Sequence, residues 1–327
     1  AMKIVITAPF AAQQVEQLRK DHEVWFQPQT EDVPLRTQEQ LHHLLLEEHA
    51  EIFICESDVV SAQVLEGLTA LKAVCVCRAG LNDVDLEACT IRGIAVINTP
   101  GRNAAAVADM VVALFIGMSR FLFEGERILR AGQWDEGTYY RLRGRELYGR
   151  TAAFVGFGAI PRELSRRLQA FDMRLIAYDP YLSEEDMAEY GVQKASLEEV
   201  FSRGDFVTVH VPVTRETKGL VNRRLLERMK PDAYFVNAAR ADIVNEADVI
   251  EHLKNHRIAG AAFDVYRQEP LPPESPFLAL DHVVLIPHLG GASLNVVDNH
   301  SRMVVSDLRL FWEGKRPLHL ANPGVLA

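Results

Sequence analysis

The sequence predicts an α/β protein with two doubly wound parallel-sheet domains. Its 327 residues are about twice the length of a typical domain. Two successive series of short apolar strands alternate with helical stretches, one before residue 100 and one after residue 150. The hydrophobic share of 48% and the charged share of 24% are ordinary for a globular protein with a buried core.

The first domain is predicted from five strands, near residues 4–7, 23–26, 52–55, 73–77 and 95–98. Strands linked by helices pair in parallel, which places a sheet within residues 1–100. Residues 292–327 contain one helix, to about Trp312, and a short tail. Because this segment is too short to fold alone, we expect it to return to the first domain.

The second domain is predicted to occupy residues 101–291. It opens with one long helix over about residues 103–130, which contain few helix breakers. Six strands follow, near residues 152–155, 175–178, 206–209, 234–236, 258–263 and 283–286. Six strands with crossover helices are the number in a Rossmann-type sheet.

Charge and composition argue against several classes of partner. The formal net charge of −10 provides no general attraction for nucleic acid or for an anionic membrane surface. No apolar run approaches the roughly 20 residues that span a bilayer. Residues 2–7 begin a strand rather than a secretory signal, so we expect a cytoplasmic protein.

No metal site is predicted. The four cysteines, at positions 55, 75, 77 and 89, lack a second ligand pair and are expected to be buried thiols. His252 and His256 have the i, i+4 spacing of helical metal ligands, but no glutamate stands between them as in zinc proteases. We therefore expect both histidines to be exposed.

A dinucleotide-binding turn is predicted at Gly156-Phe157-Gly158, between a strand and an amphipathic helix. The first glycine permits the tight turn, and the second admits the pyrophosphate. The N–H groups of Ala159 and Ile160 would face that anion. Pro161 replaces the usual third glycine; either its ring weakens pyrophosphate binding, or the first helical turn tolerates it.

Asp179 stands 21 residues after Gly158, at the end of the next strand. A carboxylate at this position accepts hydrogen bonds from the ribose hydroxyls and repels a 2′-phosphate. Residues 180–185 contain no arginine that would reverse this preference. The sequence therefore favours NAD over NADP; the alternative is a turn aspartate without a ligand.

Arg240, Glu269 and His288 each follow a strand of the second sheet. Ligands bind beyond the carboxyl ends of parallel strands, so these three side chains can converge there. For an isolated residue an ordinary structural interpretation would be favoured: a hydrogen-bonded turn histidine for His288, a solvated loop carboxylate for Glu269 and a surface ion pair for Arg240.

The second-domain motifs resemble those of the D-isomer-specific 2-hydroxyacid dehydrogenase family, which includes phosphoglycerate dehydrogenases. They lie at residues 155–158, 178–180, 210–212, 236–240, 264–270 and 287–288. The resemblance extends over nearly the whole chain. It implies a Rossmann NAD-binding domain, a flavodoxin-like substrate domain, and reversible hydride transfer between a D-2-hydroxy acid and its 2-oxo acid.

The resemblance also implies roles for individual residues. The implied catalytic residues are Arg240, Glu269 and His288. The implied NAD-binding residues are Gly156, Gly158, Ala159, Ile160, Asp179, His210, Val211, Pro212, Ala238, Ala239, Asp264, Gly290 and Gly291. Arg78, Ala79 and Gly80 are implied to bind the substrate carboxylate, in a loop shorter than the family's usual one.

The chemistry agrees with those catalytic residue types. Histidine is suited to move the proton of the C2 oxygen, because its ordinary pKa is about 6.5. Glu269 would fix the imidazole of His288, and the guanidinium of Arg240 would pair with the substrate carboxylate and polarise the carbonyl.

Two expectations concern the substrate and the assembly. Phosphoglycerate members commonly have an arginine after the third strand, where this chain has Glu56-Ser57-Asp58. Two carboxylates facing a substrate would repel a phosphate, so we expect an unphosphorylated 2-hydroxy acid. The long helix and the aromatic residues within 132–149 favour a homodimer, as in the family.

The alternative function is an NAD(H)-responsive binding protein, similar to the corepressors that share this fold. Pro161, and Ala241 where the family often has glycine, leave it open. Retention of Arg240, Glu269 and His288 favours the enzyme.

Overall fold

The computed structural model describes residues 1–30 and 32–326. The chain forms two compact units, a first unit of Ala1–Arg102 with Leu294–Ala327 and a second unit of Asn103–Ser293. The unit boundaries fall two residues after the boundaries predicted for the domains.

The first unit contains a five-stranded parallel sheet in the order β2-β1-β3-β4-β5. Its strands are β1 (Lys3–Ile6), β2 (Glu23–Phe26), β3 (Ile52–Cys55), β4 (Ala73–Val76) and β5 (Ala95–Asn98). Its helices are α1 (Ala12–Arg19), α2 (Gln38–Glu47), α3 (Leu86–Ile91) and α12 (Asn295–Trp312). The strand order is that of flavodoxin-type sheets, and each predicted strand lies within one residue of its observed position.

The second unit contains a seven-stranded parallel sheet in the order β12-β11-β10-β9-β6-β7-β8. Its strands are β6 (Thr151–Val155), β7 (Arg174–Tyr178), β8 (Gln193–Lys194), β9 (Phe206–Val209), β10 (Tyr234–Asn237), β11 (Gly260–Phe263) and β12 (Val283–Leu285). Its helices are α4 (Ala104–Ser119), α5 (Leu122–Arg130), α6 (Thr138–Arg141), α7 (Ala159–Gln169), α8 (Glu184–Ala188), α9 (Leu197–Arg203), α10 (Arg223–Leu226) and α11 (Glu246–Lys254). This is the Rossmann order with one added strand.

Both sheets bury both faces, which confirms the doubly wound α/β class. In β1, Ile4 and Ile6 belong to one apolar cluster and Val5 to another. In β6, Ala153 and Val155 belong to one cluster and Phe154 to another. Successive strand residues point to opposite faces, so each sheet lies between two cores.

Polar side chains fix the starts of several helices. Thr37 and Gln40 form a capping box at α2, and Ser196 and Glu199 form one at α9. In each box the hydroxyl accepts a hydrogen bond from a backbone N–H that has no partner within the helix.

The single helix predicted over residues 103–130 is wrong. The chain bends by 65° between α4 and α5, and Phe121 adopts a left-handed conformation with φ of 54°. The carbonyl of Ser119 accepts a hydrogen bond from the N–H of Arg145 at 2.9 Å. A side chain at Gly144 would strike that same carbonyl. A distant loop therefore stops the helix.

Among the described residues, no single helix is long and apolar enough to cross a membrane. The bent pair α4 and α5 passes that test by length and composition alone.

The C-terminal residues pair with β5. Leu320 forms an isolated bridge with Ile97, and the side chain of Asn322 accepts a hydrogen bond from the N–H of Val96 at 2.7 Å. The same side chain donates to the carbonyl of Ile94. These bonds attach the tail to the first unit.

Candidate active site

The dinucleotide turn lies where the strand order of the second sheet reverses, between β6 and β9. Gly156 has φ of +90°, and a Cβ there would come within 2.7 Å of a Val211 methyl group and 2.9 Å of the His210 carbonyl. Only glycine admits this close approach. A Cβ at Gly158, in contrast, would meet no atom within 4 Å among the described residues.

The space at Gly158 adjoins the first turn of α7. In the described part of the chain, no side chain caps this helix, and its first turn contains no acidic residue. Gly158 and Ala159 are exposed and Ile160 is partly buried. Free N–H groups at a helix start bind anions. Pro161 is buried within this turn and does not prevent the helix from starting at Ala159.

Asp179 is fixed beside the turn by two backbone amides. Its Oδ2 accepts a hydrogen bond from the N–H of Phe157 at 3.0 Å, and its Oδ1 accepts one from the N–H of Tyr181 at 2.9 Å. A carboxylate has about four acceptor positions, so these contacts orient the group and leave acceptor capacity for hydroxyl donors.

The ring of His210 is partly buried at the end of β9. Its Nε2 lies 2.9 Å from the Thr208 hydroxyl, and among the described residues its Nδ1 is buried without a hydrogen-bond partner. Burial lowers the pKa of His210 to about 3, so the ring is neutral at physiological pH. An unpaired ring nitrogen, an uncapped helix start and the open space at Gly158 fit a bound dinucleotide.

The turn after β10 is shaped by Asn237, which is buried. Its side-chain oxygen accepts a hydrogen bond from the N–H of Ala239, and its amide donates to the carbonyl of Arg240. Arg240 is exposed, and its guanidinium donates to the Ala239 carbonyl at 2.7 Å. Ala238 is buried between them. The turn thus presents Arg240 at the carboxyl edge of the sheet.

Glu269 and His288 meet at the same edge. The Nδ1 of His288 lies 2.7 Å from Oε2 of Glu269, whose other oxygen accepts a hydrogen bond from the N–H of Tyr266. The side chain of His288 is 48% exposed, so the ring remains accessible. The hydrogen bond from His288 holds the pKa of Glu269 below its usual value, and the charge of Arg240 adds to this effect.

Asp264 fixes the chain immediately after His288. It is buried, and its two oxygens accept hydrogen bonds from the N–H groups of Leu289 and Gly290 at 2.7 and 2.8 Å. Burial raises the pKa of Asp264, while these donors oppose that rise. A Cβ at Gly290 would come within 2.9 Å of the carboxylate, and one at Gly291 within 3.2 Å of the Asn103 amide.

Tyr266 and the structural part of Asn237 were not predicted from the sequence. The Tyr266 hydroxyl lies 2.9 Å from the carbonyl of Phe263 and 3.0 Å from that of Ile286, so it joins the ends of β11 and β12. Burial raises its pKa to about 12. A polar side chain directly after an apolar strand is the signal that marks Asn237; the sequence contains no comparable signal for Tyr266.

A cavity of about 500 Å³ adjoins the Glu269 and His288 pair. Its lining is otherwise apolar except for the tyrosine hydroxyl, and consists of Tyr266, Pro270, Leu271, Leu278, Leu285, Ile286 and Pro287.

The substrate-binding candidates Arg78, Ala79 and Gly80 follow β4 in the first unit. All three are exposed, and the space beside Gly80 is open. The carbonyls of Arg78 and Ala79 accept hydrogen bonds from Thr99 and Asn98, which fixes the loop to the segment after β5.

The expectation that Glu56 and Asp58 repel a phosphate is wrong in its premise. Asp58 is 2% exposed and accepts a hydrogen bond from the Thr7 hydroxyl at 2.7 Å. Glu56 pairs with Arg102 at 2.5 Å, and the same guanidinium contacts Nδ1 of His300. Asp58 is therefore not available to a substrate, and Glu56 is paired within the first unit.

The expectation for His252 is also wrong. His252 is buried because it lies at the border of the apolar face of α11, which includes Val249 and Leu253. His256 lies beyond the end of α11 and is exposed. The four cysteines are free and buried.

Comparison with known proteins identifies the family of this chain. Residues 112–290 match the model of the D-isomer specific 2-hydroxyacid dehydrogenase family, NAD binding domain. The YoaD protein of Bacillus subtilis (strain 168) is 38% identical over 330 residues, covering 98% of this chain and 93% of its own. A glyoxylate reductase of Pyrococcus furiosus is 33% identical, covering 99% and 96%.

A solved structure shares the whole fold. The apo form of D-mandelate dehydrogenase from Rhodotorula graminis superposes with a TM-score of 0.83, at 26% identity and with 98% of this chain and 97% of that chain covered. No observation supports the alternative of a binding protein. The chain therefore belongs to the D-isomer-specific 2-hydroxyacid dehydrogenases, oxidoreductases that use NAD to interconvert 2-hydroxy and 2-oxo acids.

Proposed function

We propose that His288 is the acid/base of this enzyme and that Glu269 positions it. One observation carries the proposal: the imidazole lies 2.7 Å from a carboxylate whose other oxygen is held by the Tyr266 N–H, while the ring stays half-exposed. His288 gives a proton to the C2 oxygen of a 2-oxo acid, or removes one from a D-2-hydroxy acid. Bound NAD supplies or accepts the hydride.

Arg240 binds the substrate carboxylate and polarises the carbonyl in this proposal. Its guanidinium is exposed at the same sheet edge and is close enough to Glu269 to lower the pKa of that carboxyl. A planar guanidinium offers paired donors that match a carboxylate, which lysine cannot do. We also propose Arg78, Ala79 and Gly80 of the first unit as substrate-binding residues.

The second unit binds NAD and the first unit is the substrate domain. The proposed cofactor residues share a position after the carboxyl end of a strand. They are Gly156, Gly158, Ala159, Ile160, Asp179, His210, Val211, Pro212, Ala238, Ala239, Asp264, Gly290 and Gly291. Asp179 gives the preference for NAD over NADP, because its fixed carboxylate repels a 2′-phosphate.

The activity is tested with a panel of 2-oxo acids and the loss of NADH absorbance. The panel includes glyoxylate together with branched and aromatic acids, because the cavity beside His288 is apolar. It also includes a phosphorylated acid, because Asp58 is buried and Glu56 is paired with Arg102. We expect His288→Ala to lower kcat by about 10²–10⁴-fold with NADH binding retained. His43→Ala, an exposed histidine of the first unit, is the matched control.

Two results would contradict the proposal. Turnover by His288→Ala at the wild-type rate would remove the histidine from the chemistry. NADH binding without turnover of any acid in the panel would favour a binding protein.

The cofactor preference is tested separately with Asp179→Ala. We expect wild-type kcat/KM to be higher with NADH than with NADPH, and the ratio to fall at least about tenfold in the variant. Asp172→Asn is the control, at an exposed aspartate three residues beyond the end of α7. Equal use of both cofactors by the wild type would exclude the role of Asp179.

We also propose a cytoplasmic homodimer. Four aromatic side chains within residues 132–149 are more than 60% exposed: Trp134, Tyr139, Tyr140 and Tyr148. Exposed apolar groups at this density are typical of an interface. Light scattering during size-exclusion chromatography should give twice the chain mass, and Trp134→Ala with Tyr139→Ala should shift it toward one chain mass. A wild-type monomer would rule out the dimer.

A further inference from the structure

Two histidines and an aspartate lie together at the amino edge of the second sheet. His256 follows α11, and Asp281 and His282 directly precede β12. The dinucleotide turn and the Glu269 and His288 pair lie beyond the carboxyl ends of the strands, at the opposite edge. The cluster therefore takes no part in the proposed chemistry.

The donor atoms of this cluster have the spacing of metal ligands. One ligand atom from each of the three residues lies within 4.8 Å of the others. The Nδ1 of His282 is 3.2 Å from Oδ1 of Asp281, and two ligands on a tetrahedral zinc ion stand about 3.3 Å apart. The ring centroids of His256 and His282 are 4.5 Å apart, and His256 is exposed.

The backbone fixes both histidines in place. His256 has φ of 47°, in the position after a helix end that glycine or asparagine usually occupies, and its N–H donates to the Leu253 carbonyl. The His282 carbonyl accepts a hydrogen bond from Ala261, and a Cβ at Gly260 would come within 2.7 Å of it. The backbone positions of both histidines are thus set without a ligand.

Hydrogen bonds alone do not complete this cluster. The Nε2 of His282 is buried and has no hydrogen-bond partner in the described part of the chain. Buried polar atoms are rarely left unpaired in a finished network. Both ring nitrogens of His282, the Nδ1 beside Asp281 and the unpaired Nε2, are potential ligand atoms, because neutral imidazole binds divalent metals through either ring nitrogen.

We propose that His256, Asp281 and His282 bind a divalent transition metal of the zinc type. Two imidazoles and one carboxylate suit Zn²⁺, Co²⁺ or Ni²⁺, whereas Mg²⁺ and Ca²⁺ prefer oxygen ligands alone. Water completes the coordination. The metal ties the end of α11 to the start of β12, the strand that leads to His288.

The test uses untagged full-length protein titrated with Co²⁺, followed by visible absorption, and with Zn²⁺ in competition with a chelating dye. We expect one metal ion per chain and visible bands of a low-coordinate site without thiolate charge transfer, since all four cysteines are buried. His256→Ala and Asp281→Asn alter exposed side chains and should each weaken binding at least about tenfold.

His43→Ala is the matched control, because His43 lies beside His42 with ring centroids 5.9 Å apart but has no third ligand in the described structure. It should bind Zn²⁺ as the wild type does. Zn²⁺ should also slow amide exchange around residues 281–283 in the wild type and not in His256→Ala. Absence of binding, or equal binding by His256→Ala and the wild type, would overturn the proposal.

Discussion

The carboxyl edges of the two sheets use charged residues differently. In the second unit, Glu269 is held by a backbone amide and holds in turn a histidine ring that stays 48% exposed. In the first unit, Asp58 is 2% exposed, and Glu56 pairs with Arg102. A charged residue after a strand is therefore a candidate active-site residue only under two conditions. Its neighbours must orient it, and it or its hydrogen-bond partner must remain accessible to a ligand.

At the carboxyl edge of the second unit's sheet, Glu269→Gln should have the largest effect, a loss of turnover. The amide retains the size of the side chain but loses the charge that orients His288, so we expect kcat to fall by about 10²-fold with little change in the KM for NADH. Steady-state kinetics at saturating NADH measure both constants. Glu274→Gln, an exposed glutamate of the same segment, should match the wild type; an equal loss there would point to a general disturbance.

Asp264→Ala should come next. It leaves two amide groups, those of Leu289 and Gly290, without their acceptor. We expect the free energy of unfolding to fall by about 2–3 kcal/mol, measured by urea denaturation. Turnover should fall with it, because these residues follow His288. Asp242→Ala, at an exposed aspartate, is the control; similar losses in both variants would refute the special role of Asp264.

Arg102→Ala tests the carboxyl edge of the first unit's sheet. It leaves Glu56 and the buried His300 without their shared donor, so we expect a loss of about 1–2 kcal/mol in the free energy of unfolding. Arg78→Ala should behave in the opposite way, with unchanged thermal stability and a raised KM for the acid. If the two arginines exchanged these effects, the contrast between the edges would be wrong.

Asp58→Asn should have the smallest effect, a gain in stability. Burial raises the pKa of Asp58, so the folded chain binds the proton more readily than the unfolded chain. Stability then falls as the pH rises from about 3.9 through the raised pKa. Asparagine does not titrate, so thermal denaturation should show a gain of up to about 1 kcal/mol at pH 7 that disappears below about pH 4.

Much of the fold could be predicted because most strands are apolar runs of four or five residues, and most of these are buried on both faces. The two-residue β8 is too short for such a pattern, and it pairs only with Ile176 and Ala177. The break before α5 depends on the capture of the Ser119 carbonyl by Arg145, 26 positions later. No local pattern contains that contact.

The candidate site was predictable in its reactive groups but not in its supports. Arg240, Glu269 and His288 lie within motifs, whereas the hydrogen bonds of Tyr266 and Asn237 exist only after the strands pair. Glu56 and Asp58, after β3, were wrongly expected to face a substrate. Their charge can be read from the sequence, but the burial of Asp58 and the pairing of Glu56 with Arg102 cannot. The burial of His252 could have been predicted, because it lies beside Leu253 on the apolar face of α11.

Asp264 has a further consequence for how this enzyme can diversify. Its carboxylate connects the end of β11 directly to the amides after His288, bypassing the intervening residues 265–287. Most of the lining of the apolar cavity belongs to that bypassed segment. The apolar residues of this lining can therefore vary without disturbing the hydrogen bonds by which Asp264 fixes the chain after His288.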